Sequence, residues 1–159
     1  MTRPERETAA QHEGSLLLDD QMCFALYAAS RAVTALYRPL LEELGLTYPQ
    51  YLVLLVLWDQ DEISVKELGA SLQLDYGTLT PLLKRLEAAG LLRRERRADD
   101  ERTVRIVLTP EGSTLRTRAR AVPAEIGDAM GLDDQEFQRT RDTLRRLTAN
   151  VATRTAARH

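Results

Sequence analysis

The sequence predicts a mainly α-helical chain carrying one small β-ribbon. Three observations lead there. Apolar residues recur every three or four positions along most of the chain, between residues that start and stop helices. One short stretch, Val104 to Leu108, alternates with a period of two instead. A short helix, a tight turn, a polar-faced helix and that ribbon then follow one another without interruption from Ser64 to Leu108.

Taken in order, residues 1–15 are polar and capless and read as a flexible N-terminal tail. A helix follows, capped by Asp19 or Asp20 and ending near Gly45. Its apolar stripe is Met22, Leu26, Val33, Leu36, Leu40 and Leu44, with a bend expected at Pro39. Thr47 opens a second helix, with Pro49 tolerated in the first turn and Gln50 completing a capping box. This helix is apolar on most sides and is expected to be buried. Ser64 and Glu67 form another capping box, starting a short helix to about Leu72.

Asp75 caps the next helix and Gly90 supplies the left-handed residue after it. Leu79, Leu82, Leu83, Leu86 and Ala89 make an apolar face. Tyr76, Thr78, Thr80, Lys84 and Arg85 fall mainly on the other, where they suit base edges and phosphates. Pro81 crowds the carbonyl of Gly77, so the regular helix starts either at Tyr76 or near Thr78. A two-stranded ribbon follows, with Ala98 to Arg102 as its tip. From Lys84 to Arg105 eight basic residues face five acidic ones, a local +3 on a chain of net charge −2. Arg94, Arg96 and Arg102 are among them. That charge lies where a nucleic-acid backbone would need it, and the order of elements is that of a winged helix-turn-helix.

Thr109-Pro110 then begins a long helix, which Pro123 breaks or kinks, and Asp133 to Glu136 start the last one. In it Phe137, Thr140, Leu144, Leu147 and Val151 are spaced as a seam for another helix. The expected organisation is a sensor and dimerisation helix over residues 16–46, a DNA-binding region over 47–108, and C-terminal dimerisation helices over 109–159. A homodimer built by the N- and C-terminal helices suits a two-fold DNA site.

Composition narrows the chemistry. At 159 residues, 43% hydrophobic and 29% charged, the chain has the balance of one soluble domain. The longest apolar run, Tyr51 to Trp58, is too short for a bilayer, and no signal peptide is visible, so a cytoplasmic location is expected. The two histidines, His12 and His159, sit in the tails. That excludes a Cys2His2 zinc site and cysteine–histidine catalysis, and no metal, cofactor or enzymatic activity is expected.

One cysteine remains, Cys23, in the first turn of the N-terminal helix. Helix N-termini favour thiolate, although Asp19 and Asp20 oppose this by like charge. Tyr27 lies one turn on, on the same face; Tyr37 is fourteen residues on, about 20 Å along the axis. In a continuous helix it cannot reach its own Cys23, whereas an antiparallel partner could bring it there. Phenols so placed would stabilise a thiolate. The commoner arrangement is packing at an interface with wet hydroxyls.

The segments Gln21–Leu41, Gly45–Tyr51, Leu74–Leu86 and Asp99–Gly112 together resemble the MarR family of winged-helix regulators. They are most similar to its organic-hydroperoxide-sensing repressors of the single-cysteine type. The resemblance implies that Cys23 is the peroxidatic sensor, that the partner's equivalents of Tyr37 and Tyr48 bond its thiolate, and that Tyr27 belongs to the same site. It implies a recognition helix from Asp75 to Arg85 and a wing whose Arg102 enters the minor groove, braced by Asp100. Tyr76 stands where a small residue is expected. The implied partners are an inverted-repeat operator in double-stranded DNA, organic hydroperoxides, and a small cellular thiol after oxidation. Three alternatives remain: release by a small phenolic ligand, a thiol peroxidase, and an architectural DNA binder.

Overall fold

A computed structural model describes residues 14–60, 62–96 and 103–157. The chain divides into two compact units, Met1–Ala119 and Arg120–His159. The first begins with a short 3-10 turn, Leu18–Asp20, then α1 (Met22–Glu42), α2 (Tyr48–Asp59), β1 (Glu62–Ser64), α3 (Val65–Leu72) and α4 (Tyr76–Ala88). It closes with β2 (Leu92–Arg96), β3 (Val104–Leu108) and α5 (Pro110–Ala119). The second unit holds α6 (Val122–Met130) and α7 (Asp134–Ala156).

Local chemistry sets most of these boundaries. The Thr47 N–H donates to Gln50 Oε1 at 2.8 Å ahead of α2. Ser64 Oγ accepts from the Glu67 N–H while Glu67 Oε2 accepts from the Ser64 N–H, at 3.2 and 3.1 Å. Asp133 and Glu136 exchange the same pair of bonds at the start of α7. Each satisfies N–H groups that a helix start leaves open. After α4, Gly90 adopts φ +74, its N–H bonds Glu87 O and the Leu91 N–H bonds Leu86 O. That paired closure needs the left-handed residue glycine provides.

The first unit's core forms where these elements converge. Leu41, Tyr51, Val53, Leu54, Leu57, Leu68, Leu79, Leu83, Leu86, Leu92 and Ile106 are all essentially inaccessible. Each such side chain contributes about 1.5–3 kcal/mol of burial. The apolar face of α4 lies in this core through Leu79, Leu82, Leu83 and Leu86, which turns its polar face outward.

The cap of the first helix is corrected, and several other expectations are refined. α1 is preceded by Gln21, not capped by Asp19 or Asp20, which are taken up in the 3-10 turn. Gln21 Nε2 donates to Ser15 O and Leu17 O, so this side chain pins the entry to α1. α1 runs through Pro39 to Glu42, and only Leu41 of it is fully buried. Met22 and Leu36 of the expected stripe are exposed. The ribbon is a three-stranded antiparallel sheet in the order β1-β3-β2, with Ile63 and Arg94 both opposite Ile106. Ala89, placed on the apolar face of α4 by its spacing, is exposed and follows the helix's last residue, Ala88. The helix begun at Pro110 ends at Ala119, ahead of Pro123, which sits in the first turn of α6 where a missing N–H costs nothing.

In the second unit Phe137, Leu144 and Val151 of α7 are exposed and Leu147 is half-buried. Among the described residues no helix is long and apolar enough to cross a membrane.

Candidate nucleic-acid interface and thiol site

Asp75 sets the start of α4. Its Oδ1 accepts from the Thr78 N–H at 2.8 Å and its Oδ2 from the Thr78 hydroxyl at 3.0 Å. These bonds hold its carboxyl below the usual carboxylate range. With the cap in place α4 starts at Tyr76, and Pro81 lies inside the helix. The Thr80 hydroxyl donates back to Tyr76 O at 2.8 Å, so half-buried Thr80 is engaged with its own helix. Tyr76, Lys84 and Arg85 are exposed, Tyr76 at 69%.

The turn before α4 is tight. A Cβ at Gly69 would lie 3.0 Å from Leu74 O and 3.6 Å from the Leu79 side chain. Gln73 closes α3 in the left-handed region, at φ 54. A cleft of about 730 Å³ opens between α3, the start of α4 and the base of the wing; Lys66, Gln73 and Tyr76 are among its lining residues.

Of the wing residues, Arg96 is exposed. Arg94 is held by Glu87 of α4: its guanidinium lies 2.6 Å from Glu87 Oε2, and its backbone N–H donates to Glu87 Oε1 at 2.9 Å. The Arg94 side chain, then its N–H, holds the Glu87 carboxyl below its usual range. Arg105 of β3 pairs with Glu62 of β1, tying the third strand to the sheet. The expected wing tip, with Arg102 and Asp100, lies outside the described residues.

Cys23 is a free, exposed thiol at the second residue of α1. Gln21 makes no side-chain cap bond there, so the helix start keeps N–H groups for another acceptor. Tyr27, one turn on, is exposed and carries the Arg31 guanidinium 5.5 Å from its ring centroid. Tyr37 and Tyr48 come together, their ring centroids 4.6 Å apart. Tyr37 also meets Tyr51 at 5.8 Å, and Tyr51 stands edge-on to Trp58 at 6.2 Å. Burial first, then the neighbouring Tyr48 and Tyr51 phenols, push the Tyr37 hydroxyl up to about 12. Burial raises Tyr51 as well. Tyr37 is therefore a proton donor at every physiological pH.

Tyr51 is the member that sequence reasoning missed. It lies in an apolar run whose periodicity singles out no face. Tyr37 and Cys23 share one uninterrupted helix fourteen residues apart, about 21 Å at helical rise, so one chain does not join them.

Residues 35–118 match the family model described as transcriptional regulator SarA/Rot. The chain is 50% identical over 118 residues to the organic hydroperoxide resistance transcriptional regulator of Bacillus subtilis, covering 74% of this chain and 78% of that one. The chain belongs to the MarR-like winged-helix transcriptional regulators of the SarA/Rot type. It is also 52% identical over 127 residues to the regulator TtmR of Methylorubrum extorquens, covering 80% of this chain and 65% of that one. Among solved structures it is similar to reduced AbfR bound to DNA, a Staphylococcus epidermidis protein, with TM-score 0.71 and 32% identity over 94% of this chain and 98% of that one. The fold and relatives of this regulator are those of transcription factors, not enzymes. In this regulator α3, α4, β2 and β3 are the elements of a winged helix-turn-helix.

Proposed function

We propose that the chain is a homodimeric cytoplasmic repressor that holds an inverted-repeat operator while Cys23 is reduced and releases it once an organic hydroperoxide oxidises that sulfur. The observation that carries this is an exposed lone thiol in the first turn of α1, in a chain half-identical to a regulator of organic hydroperoxide resistance. The Cys23 thiolate attacks a peroxide oxygen. An S–O bond forms, the O–O bond breaks, and the alkoxide leaves and takes a proton as the alcohol. A small cellular thiol then condenses with the sulfenic acid, releasing water and leaving a mixed disulfide.

In the reduced dimer the partner's equivalents of Tyr37 and Tyr48 donate to the Cys23 thiolate, and Tyr27 lines the same pocket. A Tyr37 phenol held protonated by its burial suits that task. Oxidation removes the charge they bond, and the reading heads lose their spacing. Tyr76, Thr78, Thr80, Lys84 and Arg85 of the Asp75-capped helix face the major groove, with Arg94 and Arg96 beside the backbone. Arg102, steadied by Asp100, enters the minor groove. Residues 16–46 and 109–159 carry dimerisation.

The experiment is a gel shift on the regulator's own upstream DNA, with and without cumene hydroperoxide, for the parent and Cys23→Ser. The variant should bind and ignore peroxide. Release of both alike would overturn the sensor assignment. One observation favours a second reading, release by a small phenolic acid: a cleft of about 280 Å³ beside Tyr48, with Arg38, Thr34 and Leu41 in its lining. Under reducing conditions, operator release by salicylate would support that reading.

A further inference from the structure

The phenols assigned to the sulfur belong to α1 and α2, whereas the reading face belongs to α4 and the wing. One line of contacts within the first unit joins them. Tyr48 meets Tyr37, Tyr37 meets Tyr51, and Tyr51 meets Trp58, at 4.6, 5.8 and 6.2 Å between ring centroids. Trp58 is buried, and its Nε1–H donates to the Gly112 carbonyl at 2.9 Å. The Gly112 N–H donates to Thr109 Oγ1 at 3.0 Å, and the Thr109 hydroxyl donates to the Gly90 carbonyl at 2.6 Å. Gly90 is the left-handed residue that closes α4, and Leu91 leads directly into β2.

The far end of this line has no slack. A Cβ on Gly112 would stand 2.0 Å from Leu91 O, so the start of α5 lies directly against the backbone joining α4 to the wing. Close-packed interiors pass displacements on instead of absorbing them. A ring contact can slide, but a buried N–H···O=C bond resists both stretching and turning.

We propose that Trp58 is a positioning residue for the redox response. Its indole N–H fastens the tyrosine cluster to Gly112, and through Thr109 to the end of the recognition helix and the root of the wing. A shift of Tyr37 or Tyr48 on Cys23 oxidation is thereby delivered to the reading head. This rests on the sensor reading above. Spatial continuity alone does not establish coupling; a differential effect on the two redox states does.

The test uses the full-length dimer, cumene hydroperoxide and a low-molecular-weight thiol. Three quantities are followed: Cys23 oxidation by intact mass, tryptophan emission, and operator Kd before and after oxidation. Trp58 is the single tryptophan, so emission reports this residue alone. Parent emission should change as Cys23 is oxidised, and Cys23→Ser emission should not.

Trp58→Phe keeps a ring and loses the donor. It should oxidise at the parent's rate and bind operator within about twofold when reduced. Its ratio of oxidised to reduced Kd should fall about 3- to 10-fold, the range of one buried hydrogen bond. Thr109→Val, nearly isosteric, breaks the line at its other end. It should lower the ratio similarly while emission still responds to oxidation. Ratios within twofold of the parent in both variants, or parent emission unmoved with Cys23 fully oxidised, overturn the proposal. Parent Cys23 left unoxidised, or Cys23→Ser released by peroxide, means the sensor reading itself fails and this proposal with it.

Discussion

Glu87 of α4 grips Arg94 of β2 twice, once through the guanidinium and once through the backbone N–H. Helix α4 and the wing are thus joined side chain to strand, next to the turn at Gly90 that joins them along the chain. Because the Arg94 guanidinium lies on Glu87, it acts in part as a brace between the two elements.

Breaking that brace should cost little stability and more operator affinity. Both side chains remain about a third exposed, so the pair is worth at most about 1 kcal/mol. The Glu87 carboxyl is held below its ordinary value, so its contribution is fully present above the unfolded carboxylate range. It is lost as pH falls through the lowered folded value. Urea unfolding of the parent and Glu87→Gln should differ by about 0.5–1 kcal/mol at pH 7 and converge as the pH falls through the lowered folded value.

Gly112→Ala should be among the most damaging single changes in the first unit. The added methyl would meet Leu91 O at 2.0 Å and Leu108 Cδ2 at 2.9 Å, and the former is backbone that cannot rotate away. Overpacking of this kind costs about 3 kcal/mol. The urea midpoint should drop with the slope unchanged. A midpoint equal to the parent's would mean that α5 moves off the wing root freely.

Gln73→Gly should stabilise the protein. Gln73 is the one described non-glycine residue with positive φ, and it closes α3 in the left-handed region. Relief of that conformation should exceed the added chain entropy of glycine by about 0.5–1 kcal/mol. Thermal unfolding checks the sign, and a lower Tm would show that the Gln73 side chain contributes more than its backbone costs.

Helix starts were legible where a cap is written within four residues, Thr47 with Gln50, Ser64 with Glu67 and Asp133 with Glu136; Asp75 marked the cap of α4, but Pro81 left its first turn open between Tyr76 and Thr78. The start of α1 was not, because two aspartates competed and a glutamine reaching back to Ser15 and Leu17 took the position instead. Strand β1 was invisible for a different reason. It has three residues, and its partner Val104–Leu108 lies some forty positions away, so nothing local marks it. The tyrosine cluster was legible only in part: Tyr37 was singled out by its spacing from Cys23 and Tyr48 by the family resemblance, whereas their mutual contact had no local mark and Tyr51 is hidden in a helix that is apolar on most sides. The Glu87–Arg94 pair had no signature at all, since opposite charges seven residues apart across a turn can point anywhere.

Dimerisation is the remaining expectation that a single substitution can decide. α7 has no fully buried side chain, yet Phe137, Leu144 and Val151 repeat at seven-residue spacing along it, each between 37% and 57% exposed. At the other end of the chain Leu16, Leu17, Leu18 and Met22 are exposed at 59–97%. Two apolar stretches of this kind suit an interface between copies of the chain. Leu144→Arg puts a charge in the middle of the α7 seam and leaves the sequence of α4 and the wing unchanged. Sedimentation should show the parent as a dimer at micromolar concentration and the variant as a monomer. Each monomer would then reach one half-site, so operator affinity should fall at least about 100-fold, in line with the loss of effective concentration when two linked binding events become independent. A variant that stays dimeric and binds as tightly as the parent would place the interface elsewhere than on α7.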